Sequence, residues 1–194
     1  MAINSGPEHP AITGVILAGG RGSRMGGQDK GLVIWHQLPL YLHVLQRLKP
    51  QVSTVWINAN RNLAAYQQSG VPVIADTLPD FPGPLAGMLA ALEQVETEWV
   101  VFTSCDTPQL PGNLVTHLWD NRGSALAVWA RSEERDHPAL ALLNRALITP
   151  LQQFLERGDR RLMPFLQEVG GHSVLFSNAG QAFNNINRPE DLQN

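Results

Sequence analysis

Behind the apolar run Ile12–Leu17 the chain reads LAGGRGSRMGGQDKG, from Leu17 to Gly31, with six glycines, two arginines and one lysine. Such a loop is suited to holding an anion. Glycines let backbone N–H groups, those of Gly19 and Gly20 among them, reach phosphate oxygens with no Cβ in the way. Arg24 offers a forked donor and Lys30 a compact point charge. Two familiar phosphate loops do not fit. A Walker A loop needs Gly-Lys-Ser/Thr, but Lys30 lies between Asp29 and Gly31. A dinucleotide fingerprint needs a third glycine where Met25 stands, with Gly26 one residue late. What remains is a long open loop carrying its own cations.

Acidic and amide residues recur at other strand ends. Asp106 closes WVVFTSCD and is followed by Thr-Pro, which halts the strand. One carboxylate there suffices for a magnesium ion that also takes phosphate oxygens and water; the competing reading is an Asx turn capping a helix. Asn58 ends STVWIN and Asp76 follows VPVIA, either as purine-edge ligands or as strand-end turn residues. The amide-rich FNNINRPEDL carries Asn184, Asn185 and Asn187, which suit a polar heterocycle or a phosphate. Asn187 also reads as a helix N-cap with Glu190 completing a capping box. Arg160 and Arg161 are either a phosphate partner or a solvated face. His137 precedes Pro138 and reads as ordering the start of a strand, and Cys105 as a small buried residue.

The elements that must position these groups alternate. Ile12–Leu17, Ser53–Asn58, Val71–Ile74, Trp99–Ser104, Ala125–Ala130 and His137–Leu143 read as buried strands. Helical patterns lie between and after them: 39–48 with Leu42, Leu45 and Leu48 on one face, 61–70, the all-round apolar 84–95, 114–120, 147–158 and 160–171, and a capped terminal helix over NRPEDLQ. This alternation implies a single doubly wound α/β domain over 11–194, with a mostly parallel sheet and helices on both faces, after a flexible tail at 1–10. Ligands of such sheets bind at the strands' carboxyl ends.

Composition narrows the classes. A net charge of −3 over 194 residues gives no basic field for nucleic acid. One cysteine excludes a disulfide framework, and six scattered histidines make a side-chain zinc site improbable. No signal-like or membrane-spanning apolar run is present, so a cytoplasmic protein without a membrane partner is expected.

The opening loop resembles the L-[AG]-[AG]-G-x-[GS]-x-R-M-G-x-x-K signature of nucleotidyltransferases that release pyrophosphate. Within them the chain resembles the molybdenum cofactor guanylyltransferase (MobA) family from about Ile12 to Leu192. The resemblance is carried by LAGGRGSRMGGQDKGL, INANRN, PGPLAGMLAAL, CDTPQLP, RDHPALAL, GDRRLM and FNNINRPEDL. It implies a Rossmann-like nucleotidyltransferase fold and transfer of GMP from GTP to the terminal phosphate of molybdopterin. Residues matching Leu17, Ala18, Gly19, Lys30, Asn58, Asp76 and Asp106 would surround GTP, with Gly20 in the same loop. Asp106 would hold Mg2+, with Arg24, Lys30 and Asp106 as the catalytic set. The second substrate would lie near Gly27, Arg161, Asn185 and Asn187. Cofactor-biosynthesis proteins and acceptor molybdoenzymes are the implied partners. LAGG rather than LAAG points to a purine over cytosine.

One departure stands out. The family's Asn-Gly-Lys-Pro-Leu is here His36-Gln37-Leu38-Pro39-Leu40, which leaves that turn's conformation in question. Other readings stay open on sequence grounds. They are a cytidylyl- or sugar-phosphate nucleotidyltransferase, a non-catalytic nucleotide-binding regulatory module, and a dehydrogenase that Met25 disfavours.

Overall fold

The computed structural model describes residues 8–19, 27–78 and 83–193. Most of the tail expected at 1–10, and the loop residues Gly20 and Arg24, lie outside the described residues. In chain order the elements are β1 (Ile12–Leu17), β2 (Ile34–Trp35), β3 (Leu38–Pro39), α1 (Leu40–Leu48), β4 (Thr54–Asn58), α2 (Leu63–Gln67), β5 (Val73–Ile74) and α3 (Leu85–Gln94). There follow β6 (Trp99–Ser104), α4 (Leu114–Asp120), β7 (Ala127–Arg131), β8 (Asp136–Asn144), α5 (Ile148–Glu156), α6 (Leu162–Glu168) and β9 (His172–Leu175).

Seven strands form one sheet in the order β5-β4-β1-β6-β8-β7-β9. β5, β4, β1 and β6 run parallel, β8 runs against both its neighbours, and β7 and β9 are parallel to each other. The expected mostly parallel, doubly wound sheet is therefore present. Its central strands are buried on both faces, which is why β1 reads as an unbroken apolar run. Alternate residues feed two cores. Ile12 and Ile16 of β1 pack with Leu48 of α1, Tyr66 of α2 and Leu118 of α4. Val15 and Leu17 pack with Met88 of α3, Phe154 of α5 and Phe165 of α6. Each such fully buried side chain contributes about 1.5–3 kcal/mol. As its composition predicts, α3 is buried from Leu85 to Leu92.

Three local features differ from expectation. The buried face of α1 is Tyr41, Val44, Leu45 and Leu48, with Leu42 only half-buried, and Pro39 precedes the helix rather than opening its first turn. NRPEDLQ forms a 3-10 turn, Pro189–Gln193, instead of an α-helix. The segment His36–Gln37, where the family glycine is missing, joins β2 to β3 as a two-residue hairpin. Both turn residues hold positive φ, 44° at His36 and 71° at Gln37, as a type I′ turn demands. The geometry survives without glycine, at a strain of about 1–2 kcal/mol per residue. The hairpin serves as a platform. Val33, Trp35 and Leu40 form a small separate core with Ile186, against which Leu192 packs.

Candidate active site

The parallel register aligns the carboxyl ends of three strands. Leu17 is opposite Asn58 on one side and Ser104 on the other. Just beyond, the Ala18 N–H donates to the Asn58 carbonyl at 2.8 Å, and the Cys105 N–H to the Leu17 carbonyl at 3.2 Å. Leu17, Ala18 and Gly19 are thus threaded between the strand ends bearing Asn58 and Asp106. Strand order alone accomplishes this, and it places Ala18 and Gly19 where a ligand of such a sheet is expected.

On the β4 side, Asn58 is 2% exposed. Its amide donates to Asp76 Oδ1 at 2.9 Å and to the Ile74 carbonyl at 3.2 Å. The Asp76 N–H in turn donates to Asn60 Oδ1 at 2.8 Å. Two glycines make room for this cluster. A Cβ on Gly87 of α3 would lie 2.2 Å from Asn58 Oδ1, and one on Gly19 would lie 2.9 Å from Asn60 Nδ2. Gly19 therefore spares the amide that orients Asp76. Asn58 and Asp76 are a coupled pair, more than two independent turn residues. Among the described residues nothing hydrogen-bonds Asp76 Oδ2, so it is available to accept from a base edge.

On the β6 side, Asp106 lies at the strand end with its side chain 14% exposed. Oδ1 accepts from the Ser104 hydroxyl, and Oδ2 meets Lys30 Nζ at 3.2 Å. Lys30 Nζ also donates to Asn187 Oδ1 at 2.9 Å. The Thr107 hydroxyl donates to Asn185 Oδ1 at 3.0 Å. The backbone closes the same junction, with the Ile186 N–H donating to the Asp106 carbonyl at 2.8 Å. The helix-cap alternative for Asp106 does not hold, because α4 begins only at Leu114 and has no side-chain cap.

Asp29, beside Lys30, is 7% exposed and anchored from α2. The Tyr66 hydroxyl and the Asn62 amide donate to its two oxygens, and Arg61 approaches at 3.9 Å. Burial, and then the bond to Asp29, push the Tyr66 phenol well above its usual value, so it stays a donor. This fixes the backbone of Lys30 while its long side chain spans the site. Cys105 is 5% exposed, and burial first, then neighbouring Asp106, raise its thiol far above the reactive range. His137 is buried, stacked on Phe183 with centroids 4.8 Å apart and joined to Ser132 Oγ at 3.0 Å. Burial, then Arg135, lower its pKa. It is a packing residue, as its place before Pro138 suggests.

Several expectations need adjustment. Asn185 meets Thr107 and Asn187 meets Lys30, but Arg161 is held elsewhere. Its guanidinium is paired with Asp159, Nε to Oδ1 at 3.0 Å and Nη2 to Oδ2 at 2.8 Å, and its side chain is 73% exposed. Gly27 is exposed, with its carbonyl accepting from Arg61 at 3.4 Å. The capping box is shifted by one residue. Asp191, not Glu190, accepts from the N–H groups of Asn187 and Arg188, both at 2.9 Å. Asn187 is left free to face Lys30. Sequence reading did not single out Ser104, Thr107, Asn60 or the Asp29–Tyr66 bond, although hydroxyls flanking Asp106 in TSCDT were visible.

Among the described residues no group of three His, Cys, Asp or Glu side chains gathers to cage a metal. A lone half-buried carboxylate beside a lysine suits a divalent ion shared with nucleotide phosphates, which needs only one or two protein ligands. The donor set fits such an ion.

A doubly wound sheet that gathers a glycine loop, a lysine and a carboxylate at its parallel strand ends defines a Rossmann-like nucleotidyltransferase. The chain belongs to the family of MobA-like NTP transferase domains, whose model matches residues 14–173. It is 54% identical over 183 residues to a molybdenum cofactor guanylyltransferase of Serratia proteamaculans, covering 94% of this chain and 93% of that one. A protein of the same name from Yersinia pseudotuberculosis is 53% identical over 182 residues, with the same coverage. The fold matches the crystal structure of molybdopterin-guanine dinucleotide biosynthesis protein A from Archaeoglobus fulgidus, with a TM-score of 0.74 at 23% identity, covering 93% of this chain and 95% of that one.

Proposed function

We infer that the protein transfers GMP from GTP to the terminal phosphate of molybdenum-loaded molybdopterin, giving the guanine dinucleotide cofactor and pyrophosphate. The observation that carries this reading is Lys30 Nζ held between Asp106 and Asn187. One lysine there joins the strand-end carboxylate to the amide-rich segment, so two anionic substrates can meet over it. The acceptor phosphate is already ionised near neutral pH and attacks the α-phosphorus in line, so no general base is required. Leu17, Ala18 and Gly19 line the nucleotide's path, with Gly20 following in the same loop sequence, and Asn58 and Asp76 face the base. Asp76 Oδ2 suits the N1–H and N2–H₂ donors of guanine, which cytosine lacks. Lys30, with Arg24 and the loop amides, stabilises charge on the α-phosphate and the leaving group. Asn185 and Asn187, with Gly27 and Arg161 toward the periphery, take the acceptor.

Asp106 would hold Mg2+, and a bound divalent ion offsets repulsion between the reacting phosphates. Positioning and electrostatics suffice, with no covalent enzyme intermediate. A single domain over 11–194 working in the cytoplasm, and passing its product to acceptor molybdoenzymes, completes the proposal. No helix among the described residues is long and apolar enough to cross a membrane.

Pyrophosphate release from GTP and from CTP, each with molybdenum-loaded molybdopterin, tests the reading. Release from GTP that needs both the acceptor and magnesium is expected. Preference for CTP would instead favour a cytidylyltransferase, and GTP binding without turnover a regulatory module.

A further inference from the structure

Three cavities share one arginine in their walls, and the first of them also opens on Asp106. The first, about 200 Å³, is bounded by Ser104, Asp106, His137 and Asn185 together with Arg135. The second, about 420 Å³, runs from Arg135 past Trp35 to Asn184 and Asn187. The third, about 310 Å³, is bounded by Arg135, Glu134, Phe183 and Asn184. Arg135 therefore stands where the asparagine-lined trough meets the strand-end carboxylate.

Its surroundings distinguish it from the other cations near the site. Lys30 is engaged with Asp106 and Asn187, Arg161 with Asp159, and Arg61 with Asp29 and two carbonyls. No described residue holds the Arg135 guanidinium by a hydrogen bond or ion pair. Its acidic neighbour Asp136 is turned to the Trp129 indole at 2.9 Å. The backbone is nonetheless firmly placed. Ser132 and Arg135 close the turn between β7 and β8, the Ser132 N–H donating to the Arg135 carbonyl at 2.9 Å, and the Ser132 hydroxyl is tied to buried His137. After burial, the nearness of the guanidinium also lowers the His137 pKa.

We propose that Arg135 is a specificity-determining binding residue that grips the terminal phosphate of the acceptor and presents it beside Asp106. The proposal rests on the guanylyltransferase reading. A planar fork with unengaged N–H donors matches a phosphate in a way that a lysine does not. The acceptor must bring a phosphate against a triphosphate, so a cation on the acceptor's side offsets repulsion that Lys30, already shared, cannot offset alone.

The test measures binding of molybdopterin and of its dephosphorylated form by tryptophan fluorescence. It uses the full chain, its Arg135→Ala and Arg135→Lys variants, and GTP as a separate ligand. Arg135→Ala is expected to weaken molybdopterin binding on the order of 10–100-fold, the range of lost hydrogen bonds to a charged group. Binding of the dephosphorylated form and of GTP should be unchanged, and Arg135→Lys should recover part of the loss. Equal losses for both pterins would overturn the phosphate assignment, and a loss confined to GTP would move Arg135 to the nucleotide side. A wild-type protein that turns over GTP with molybdopterin while Arg135→Ala binds it normally would overturn the inference alone. A wild-type protein that binds no molybdopterin would overturn both it and the functional reading.

Discussion

The two sides of the site are built by different means. The side proposed for the nucleotide is made of adjacent parallel strand ends, so Leu17, Asn58 and Ser104 are aligned by ladder hydrogen bonds and by cores on both faces. The side proposed for the acceptor is a segment without strand or α-helix, residues 184–193, laid over those ends. A few discrete contacts tie it down: Ile186 to Asp106, Asn185 to Thr107, Asn187 to Lys30, and Ile186 packed on Trp35. A rigid sheet can hold one partner of a transfer reaction and a tethered segment the other. Only the second can adapt when an acceptor enters.

Substitutions separate the sides in decreasing order of effect. Lys30→Ala or Asp106→Ala, which act where the two halves meet, should lower turnover on the order of 10²–10³-fold. Pyrophosphate release is the measure, with circular dichroism showing an intact fold; near wild-type rates in both would remove these residues from the mechanism. Gly87→Ala should damage the nucleotide side alone, because its methyl group would displace Asn58. A stability loss of about 1–3 kcal/mol is expected, with a raised KM for GTP and an unchanged KM for the acceptor. An equal rise in both would dissolve the distinction drawn here.

A third test is smaller and acts on the acceptor side. Hydrogen bonds from the Asn187 and Arg188 N–H groups hold the Asp191 carboxyl below its ordinary value. A group with a depressed folded pKa stabilises above its unfolded value of about 3.9, and the contribution disappears as pH falls through the lower folded value. Asp191→Asn should therefore raise the acceptor KM at neutral pH and leave the KM for GTP alone. Thermal stability should fall less steeply in the variant than in the wild type below about pH 4. Last, His36→Asn with Gln37→Gly should relax the β2–β3 turn and raise stability by about 1–2 kcal/mol in thermal melts. Kinetics should not change.

Legibility followed the same division. β1 and β6 match their expected spans, because buried parallel strands announce themselves as apolar runs. Lys30 and Asp106 were visible because loop chemistry and strand ends are local signals. The β2–β3 hairpin was not, since it is two residues a side and lacks the glycine that marks such turns. β9 was missed because it is a short edge strand, partly exposed, with little apolar signal. The Asp159–Arg161 pair was not legible either, because sequence does not reveal which carboxylate engages an exposed guanidinium. Arg135 was hidden for the converse reason: a lone exposed arginine acquires meaning only when three cavities converge on it.

The contact between Lys30 and Asn187 spans 157 positions of chain. Closing so long a loop comes late and is costly in chain entropy. Lys30 and Asn187 are thus neighbours through the fold and not through the chain, and the site depends on elements from both halves of the sequence.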